Sequence, residues 1–316
     1  MPESPRSGQE HFVAELDETP LADVDQLDES MPPQSLWVDA WHHLRRRPIF
    51  IVSALLILLV LAVAIVPGLF TSLDPRFCDL KHNLGAPVAG HPFGYDRQGC
   101  DIYSRVVYGA RASVTVGFVT TALVVLLGAA IGAIAGFYGR FLDSLLSRLT
   151  DIFFAIPLIL AAIVVMQVFR DRASYSSVIM VLAVFGWPQI ARITRGAVIA
   201  VKNADYVTAA KALGTSKFRA LIRHVLPNAA APIIVVGTVS LGIFIVVEAT
   251  LSFLGIGLNS AKMVSWGHDI ATASATLRIA PEVLFYPAGA LALTVLSFIM
   301  LGDAVRDALD PKARQR

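Results

Sequence analysis

The stretch Tyr206–Pro227, YVTAAKALGTSKFRALIRHVLP, is the one long polar-rich island between strongly apolar segments, and it carries its own helical period. Tyr206, Ala209, Ala210 and Leu213 recur at i, i+3, i+4 and i+7. Phe218, Leu221, Ile222 and Val225 repeat that spacing, so two short amphipathic helices are predicted. Gly214 between them is a stop, Thr215 and Ser216 are a restart, and Leu226-Pro227 closes the second helix before the next apolar run. The opposite faces carry Lys211, Lys217, Arg219, Arg223 and His224. Such an island reads as an element that docks on something.

Its surroundings read as membrane. Hydrophobic residues make up 55% of the chain and charged ones 16%, with a mean hydropathy of +0.64; soluble domains carry about a quarter charged residues. A net charge of +2 is too small to imply nucleic acid, and charge placement says more than the sum. The run Phe50–Phe70 has no charge and is long enough to cross a hydrocarbon core of about 30 Å. Further runs at roughly Ala112–Tyr138, Ile152–Phe169, Ser177–Val201, Ala229–Leu258 and Val283–Gly302 bring the expected spans to six. Arg45–Arg47 precede the first span and place the amino terminus in the cytoplasm, with Trp37 and Trp41 as interfacial anchors. Six spans return the carboxyl terminus to the same side, which then holds 17 of the 26 Lys and Arg residues, the island included. A secretory signal would put its apolar core nearer the start, so the first run is read as a retained anchor.

Residues 1–35 hold nine acidic residues against Arg6 and read as a disordered acidic tail. The rest divides into 36–111, the first span and an outer loop; 112–302, a five-helix core with a cytoplasmic loop at 202–228; and 303–316, a cytoplasmic tail. Gly128, Gly132 and Gly136 give one face of span two a smooth surface for close helix approach. Pro188 followed by Arg192 and Arg195 predicts that span four bends or leaves the hydrocarbon early, while Arg148 and Asp151 mark the inner end of span three.

The first outer loop, Thr71–Arg111, holds Cys78 and Cys100, the two cysteines of the chain. Sharing an oxidising compartment, they are disulfide candidates, with two free thiols as the alternative. Ile102, Val106 and Ala110 recur at four-residue spacing and suggest a helix lying on the outer interface. His82, His91, Asp96 and Asp101 invite a metal reading, but their spacing matches no familiar zinc or calcium site, so no metal is assigned. Glu248 is the one carboxylate deep in span five, with Ser252 a turn further on. A charge there faces a pathway or gate, or else it is a hydrogen-bonded group that holds helices together. The sequence carries no phosphate-binding Gly-rich loop ending in Lys-Ser/Thr, no His-Glu-x-x-His and no Gly-x-Ser-x-Gly, so no catalytic residue is assigned. If ATP powers the protein, another chain binds it.

The island resembles the EAA loop of ABC-importer permeases, whose pattern is Glu-Ala-Ala, three residues, Gly, nine residues, then Ile-x-Leu-Pro. Ala209, Ala210, Gly214, Leu226 and Pro227 match in frame, while Thr208 replaces the Glu and His224 the Ile. Tyr206–Ala210 and Arg223–Asn228 take forms common in the peptide-importer branch. From about residue 36 to 311 the chain is similar to the C-type subunit of dipeptide/oligopeptide permeases. Gly94–Asp101 resembles that family's Gly-Thr-Asp-x-x-Gly-Arg-Asp signature, with Tyr95 for the Thr and Cys100 for the Arg. Losing that Arg to Cys in a loop that also holds Cys78 favours a pair. Leu251–Gly255, Ser265–Gly267, Leu301–Asp303, Arg306-Asp307 and Leu309–Pro311 resemble further family segments.

The resemblance implies an all-α integral membrane protein of the ABC type I importer permease fold, in the bacterial cytoplasmic membrane. It also implies a homologous second permease subunit, two cytoplasmic ATPase subunits that hold ATP and Mg, and an extracytoplasmic peptide-binding protein. Tyr206, Thr208, Ala209, Ala210, Lys211, Leu213, Gly214, Lys217, Phe218, Arg219, Leu226 and Pro227 would couple ATPase closure to alternating access. Nickel or another small solute is an alternative cargo within the family. An ion-coupled secondary transporter would be expected to show internal repeats and several intramembrane ionisable groups, and the sequence shows neither.

Overall fold

A computed structural model describes residues 41–42, 44–169, 173–258 and 263–309. The acidic segment 1–35, Trp37 and the Asp310-Pro311 end lie outside those residues. The described chain is helical, with isolated bridges in the outer loop instead of strands. Its helices are α1 (Pro48–Ile65), α2 (Ile102–Tyr138), α3 (Arg140–Phe154), α4 (Leu158–Val168), α5 (Tyr175–Val201), α6 (Asp205–Ala212), α7 (Lys217–Ala220), α8 (Ala230–Phe253), α9 (Trp266–Ser274) and α10 (Glu282–Leu309).

Five of these, α1, α2, α5, α8 and α10, are long and apolar enough to cross a membrane; α3 and α4 are the two arms of a break bent by 75°. One span over Ile152–Phe169 is therefore corrected to a broken pair. Pro157 stands at the break, where it has no N–H to donate and disfavours a helical conformation in the residue before it. Arg47 just before α1 and Asp307 near the end of α10 meet at 2.7 Å, so the two ends of the helical body share one side. That requires an even number of crossings, and the bent pair supplies the sixth.

The outer interfacial helix is also corrected. Residues 102–110 run without a break into the 37-residue α2, and Ile102 and Ala110 are buried against the protein. At about 1.5 Å per residue α2 is about 55 Å long, so its first turns stand beyond a hydrocarbon core of about 30 Å. Asp101 caps it by accepting from the Ser104 N–H at 2.7 Å, which fixes its start. Two further differences lie near the carboxyl end. The loop expected at 259–282 contains α9, and α10 continues seven residues past Gly302, so the tail expected from 303 is helical as far as Leu309.

The glycine stripe of α2 lies against α5. A Cβ on Gly132 would come 2.3 Å from the Ala191 carbonyl oxygen, and one on Gly136 would come 2.8 Å from that of Arg195. Backbones this close leave no room for a side chain, as the four-residue spacing implied. Pro188 is accommodated within an unbroken α5. The main apolar core fills the space between α2, α4, α5 and α8, with Met166, Leu182 and Leu251 fully buried.

Candidate functional site

The island folds as two helical pieces around a left-handed corner. After α6, the Gly214 N–H donates to the Lys211 carbonyl and the Thr215 N–H to that of Ala210, a Schellman closure with Gly214 at φ +86°. Ser216 then caps α7, accepting from the Arg219 N–H at 3.4 Å. The second helix departs from the expected period: α7 passes into a π turn over Leu221–Val225. The wider turn splits the apolar set expected on one face. Leu221 and Val225 turn inward, and Phe218 and Ile222 stay outside.

Three side chains anchor the island. Val207, Leu221 and Val225 are buried against Ala133 of α2 and Val198 of α5, with Phe137 packed alongside. Each such burial is worth about 1.5–3 kcal/mol. Lys202, just past α5, donates to the Gly136 carbonyl at 2.8 Å, tying the entry of the island to the end of α2. Val207, Lys202 and Phe137 were not among the residues singled out in the sequence. Val207 falls between the two periodic faces, where spacing alone assigns no partner.

What remains outside is an apolar surface. Tyr206 is 48% exposed, Leu213 88% and Phe218 67%, with Ile222 beside them. Thr208, Ala209, Lys217, Arg219 and Pro227 are exposed too, whereas Ala210 and Leu226 are half-buried. Lys211 turns back on its own chain, 5.1 Å over the Phe137 ring and 3.4 Å from the Lys202 carbonyl. Among the described residues, the cations left free at the island's surface are therefore Lys217, Arg219 and Arg223.

Glu248 and Ser252 lie elsewhere, toward the outer half of α8. Glu248 is 0% exposed, and its two carboxylate oxygens accept from Ser113 of α2 at 2.7 Å and from Ser252 at 2.8 Å. Ser113 lay outside the sequence reading, since nothing in its local pattern points to a residue 135 positions away. The same contact continues outward. A Cβ on Gly267 would come 2.2 Å from the Ala249 carbonyl oxygen, and the Trp266 Nε1–H donates to the Val106 carbonyl at 2.8 Å. Arg105 joins Asp269 in a buried ion pair, and burial pushes the Asp269 carboxyl up while the Arg105 guanidinium pulls it down. Cys78 and Cys100 are joined by a disulfide that closes the outer loop beside Asp96 and Asp101. His91 is spent on Asp101 at 2.9 Å and His82 stacks on Tyr95.

A helical membrane body with an anchored, outwardly apolar helix pair at one end can be set beside known proteins. The family described as "Binding-protein-dependent transport system inner membrane component" matches residues 128–315. The chain belongs to that family. A second family description, "N-terminal TM domain of oligopeptide transport permease C", matches residues 35–87 of the permease. The permease is 37% identical over 291 residues to the dipeptide transport system permease protein DppC of Alkalihalophilus pseudofirmus, covering 90% of this chain and 95% of that one. It is 36% identical over 281 residues to the oligopeptide transport system permease protein OppC of Bacillus subtilis, covering 89% and 91%. To the glutathione transport system permease protein GsiD of Escherichia coli O157:H7 it is 36% identical over 306 residues, covering 95% and 97%. Among solved structures, the inward-facing MetNI methionine ABC transporter superposes with a TM-score of 0.54 at 19% identity, over 65% of this chain and 96% of that one. This likeness shows the permease fold, that of an ABC importer membrane subunit. The protein is a membrane transport subunit of the binding-protein-dependent class.

Proposed function

We propose that this permease is the C-type transmembrane subunit of an ATP-driven importer of di- and oligopeptides, coupled to its ATPases through Tyr206–Pro227. The observation that carries the reading is the split of the island into a buried and an exposed face. Val207, Leu221 and Val225 fix it to α2 and α5, while Tyr206, Leu213, Phe218 and Ile222 offer an apolar surface with no partner among the described residues. An ATPase groove would take that surface, with Lys217 and Arg219 meeting acidic or backbone acceptors at its edge. ATP and Mg belong to two ATPase subunits, a homologous second permease completes the pathway, and an extracytoplasmic binding protein delivers the peptide. Both termini and the island face the cytoplasm, a placement supported by Arg45–Arg47 and by the contact of Arg47 with Asp307.

The mechanism follows from the anchoring. ATP binding draws the ATPases together and displaces α6 and α7. Because Lys202 and the Val207–Leu221–Val225 cluster tie these helices to the ends of α2 and α5, the displacement tilts both spans. The pathway then opens alternately to each side. Small peptides are the supported cargo, since the relatives named for dipeptides, oligopeptides and glutathione match at 36–37% identity. For Glu248 and Ser252 we favour a helix clasp over a gate, because both carboxylate oxygens are occupied from α2 and α8 and the side chain is fully enclosed.

Isolation of the full complex tests the import reading. The permease is expected to co-purify with two ATPase subunits, and peptide with its binding protein is expected to stimulate ATP hydrolysis in proteoliposomes. Peptide uptake driven by an ion gradient without an ATPase would contradict it.

A further inference from the structure

The inner end of the molecule holds a second feature that the coupling surface does not use. α5 ends at Val201 and α6 begins at Asp205, so a force on α6 reaches α5 within one turn. About two turns back along α5 stands Arg195, with Arg192 nearly a turn further, and both reach across to α3. Arg195 grips the Asp143 carboxylate through two nitrogens, at 2.5 and 2.7 Å. Arg192 donates to Asp151 at 2.7 Å and lies 3.9 Å over the Phe154 ring.

α3 has little else to hold it. Thr150 is the buried residue of α3, and Phe141, Leu145 and Ile152 are exposed. Phe153, close to the bend, packs on Phe185 and Trp187 of α5. Between the two ion pairs lies a cavity of about 300 Å³ lined by Gly132, Ser147, Thr150, Ala191 and the arginines themselves. Along most of its length α3 is therefore joined to α5 by charge across unfilled space. Beyond the 75° bend α4 is held differently, with Ala162 and Met166 sunk into the main core.

We propose that Arg192 and Arg195 are positioning residues that bind α3 into the block moved by the coupling helices, so that the hinge at Ala155–Pro157 takes up the motion against α4. A bidentate guanidinium–carboxylate pair fixes orientation as well as distance, which a transmission joint requires. The open cavity lets the joint shift without breaking a packed core. Pro157 supplies a backbone without the hydrogen bond that would resist bending.

This inference rests on the import reading, and the test separates the two. The native cysteines are bonded to each other, so Leu145→Cys and Leu160→Cys, both exposed, can be spin-labelled as a pair across the bend in the reconstituted complex. In the otherwise native chain, the inter-label distance is expected to differ between the nucleotide-free and ATP-trapped states. In the R192Q/R195Q variant that difference is lost, and peptide uptake per ATP hydrolysed falls about tenfold while hydrolysis continues. The charge-reversed pair D143R/R195D restores coupling, and R195K, which keeps charge but not the bidentate fork, recovers it only in part. A merely structural role would lower assembly without changing uptake per ATP. Unchanged uptake per ATP in R192Q/R195Q, or a bend that holds one distance in both states, overturns the inference. Absence of ATP-linked uptake in the native complex overturns the import reading and this inference with it.

Discussion

Gly214 has a backbone that L side chains rarely adopt, φ +86°, with open space where a Cβ would point. The penalty for substitution is therefore strain and not collision, about 1–2 kcal/mol for a residue with a Cβ. Gly214→Ala is expected to fold with reduced uptake. Gly214→Asp adds a charge at the docking corner and is expected to abolish uptake at normal membrane levels, as immunoblotting alongside peptide uptake will show. At Glu248 the two readings separate cleanly. Glu248→Gln can keep both hydroxyl contacts by reorienting one of them, so a clasp retains uptake and assembly; a gate that needs the charge loses uptake with assembly unchanged. Glu248→Ala strands Ser113 and Ser252, at about 1–3 kcal/mol for each unpaired buried group, and should lower the melting temperature in detergent. Arg105 and Asp269 give a third case. Removing one partner of a buried pair costs about 3–5 kcal/mol because the other charge is left uncompensated. Arg105→Met should destabilise the permease strongly, and R105M/D269L should recover most of the loss.

At the scale of elements, the outer loop and the broken span show how far sequence reaches. The disulfide Cys78–Cys100 closes a loop with a sequence separation of 22, for which chain entropy gives about 3 kcal/mol. In C78S/C100S the outer loop is expected to become sensitive to added protease while the spans stay protected, which limited proteolysis of right-side-out vesicles would measure. Long spans were legible because a run of apolar residues has one physical solution in a membrane, and α1, α2, α5, α8 and α10 appear close to where hydropathy puts them. The corner at Gly214 was legible for a similar reason, since glycine between two periodic stretches has few other uses. α3 was missed because its alternation of Asp143, Arg148 and Asp151 with apolar residues dilutes hydropathy, and the run at Ile152–Phe169 absorbed its end. α9 was missed because nine residues, WGHDIATAS, carry little period, and their helix is held by packing on α8 and α10 and on α2, which lies far off in sequence. The π turn at Leu221–Val225 breaks the 3.6-residue rule from which the inner and outer faces were assigned.

Taken whole, the permease is held together from within and left open at its edges. Leu55, Leu58 and Leu59 of α1, Phe285 and Leu293 of α10 and the apolar side of α3 all face outward. Such surfaces suit lipid and a second membrane subunit. Motion imposed at α6 and α7 has a physical route inward through Lys202, the Val207 cluster and the glycine contact of α2 with α5. The central claim, that Tyr206–Pro227 docks on an ATPase, is tested most directly by a photo-cross-linking amino acid at Leu213, the most exposed apolar position of the island, in native membranes. An adduct with an ATPase subunit, lost when Gly214→Asp is added, is the expected result. A Leu213 adduct formed only with lipid, in a membrane where the importer is active, would contradict it.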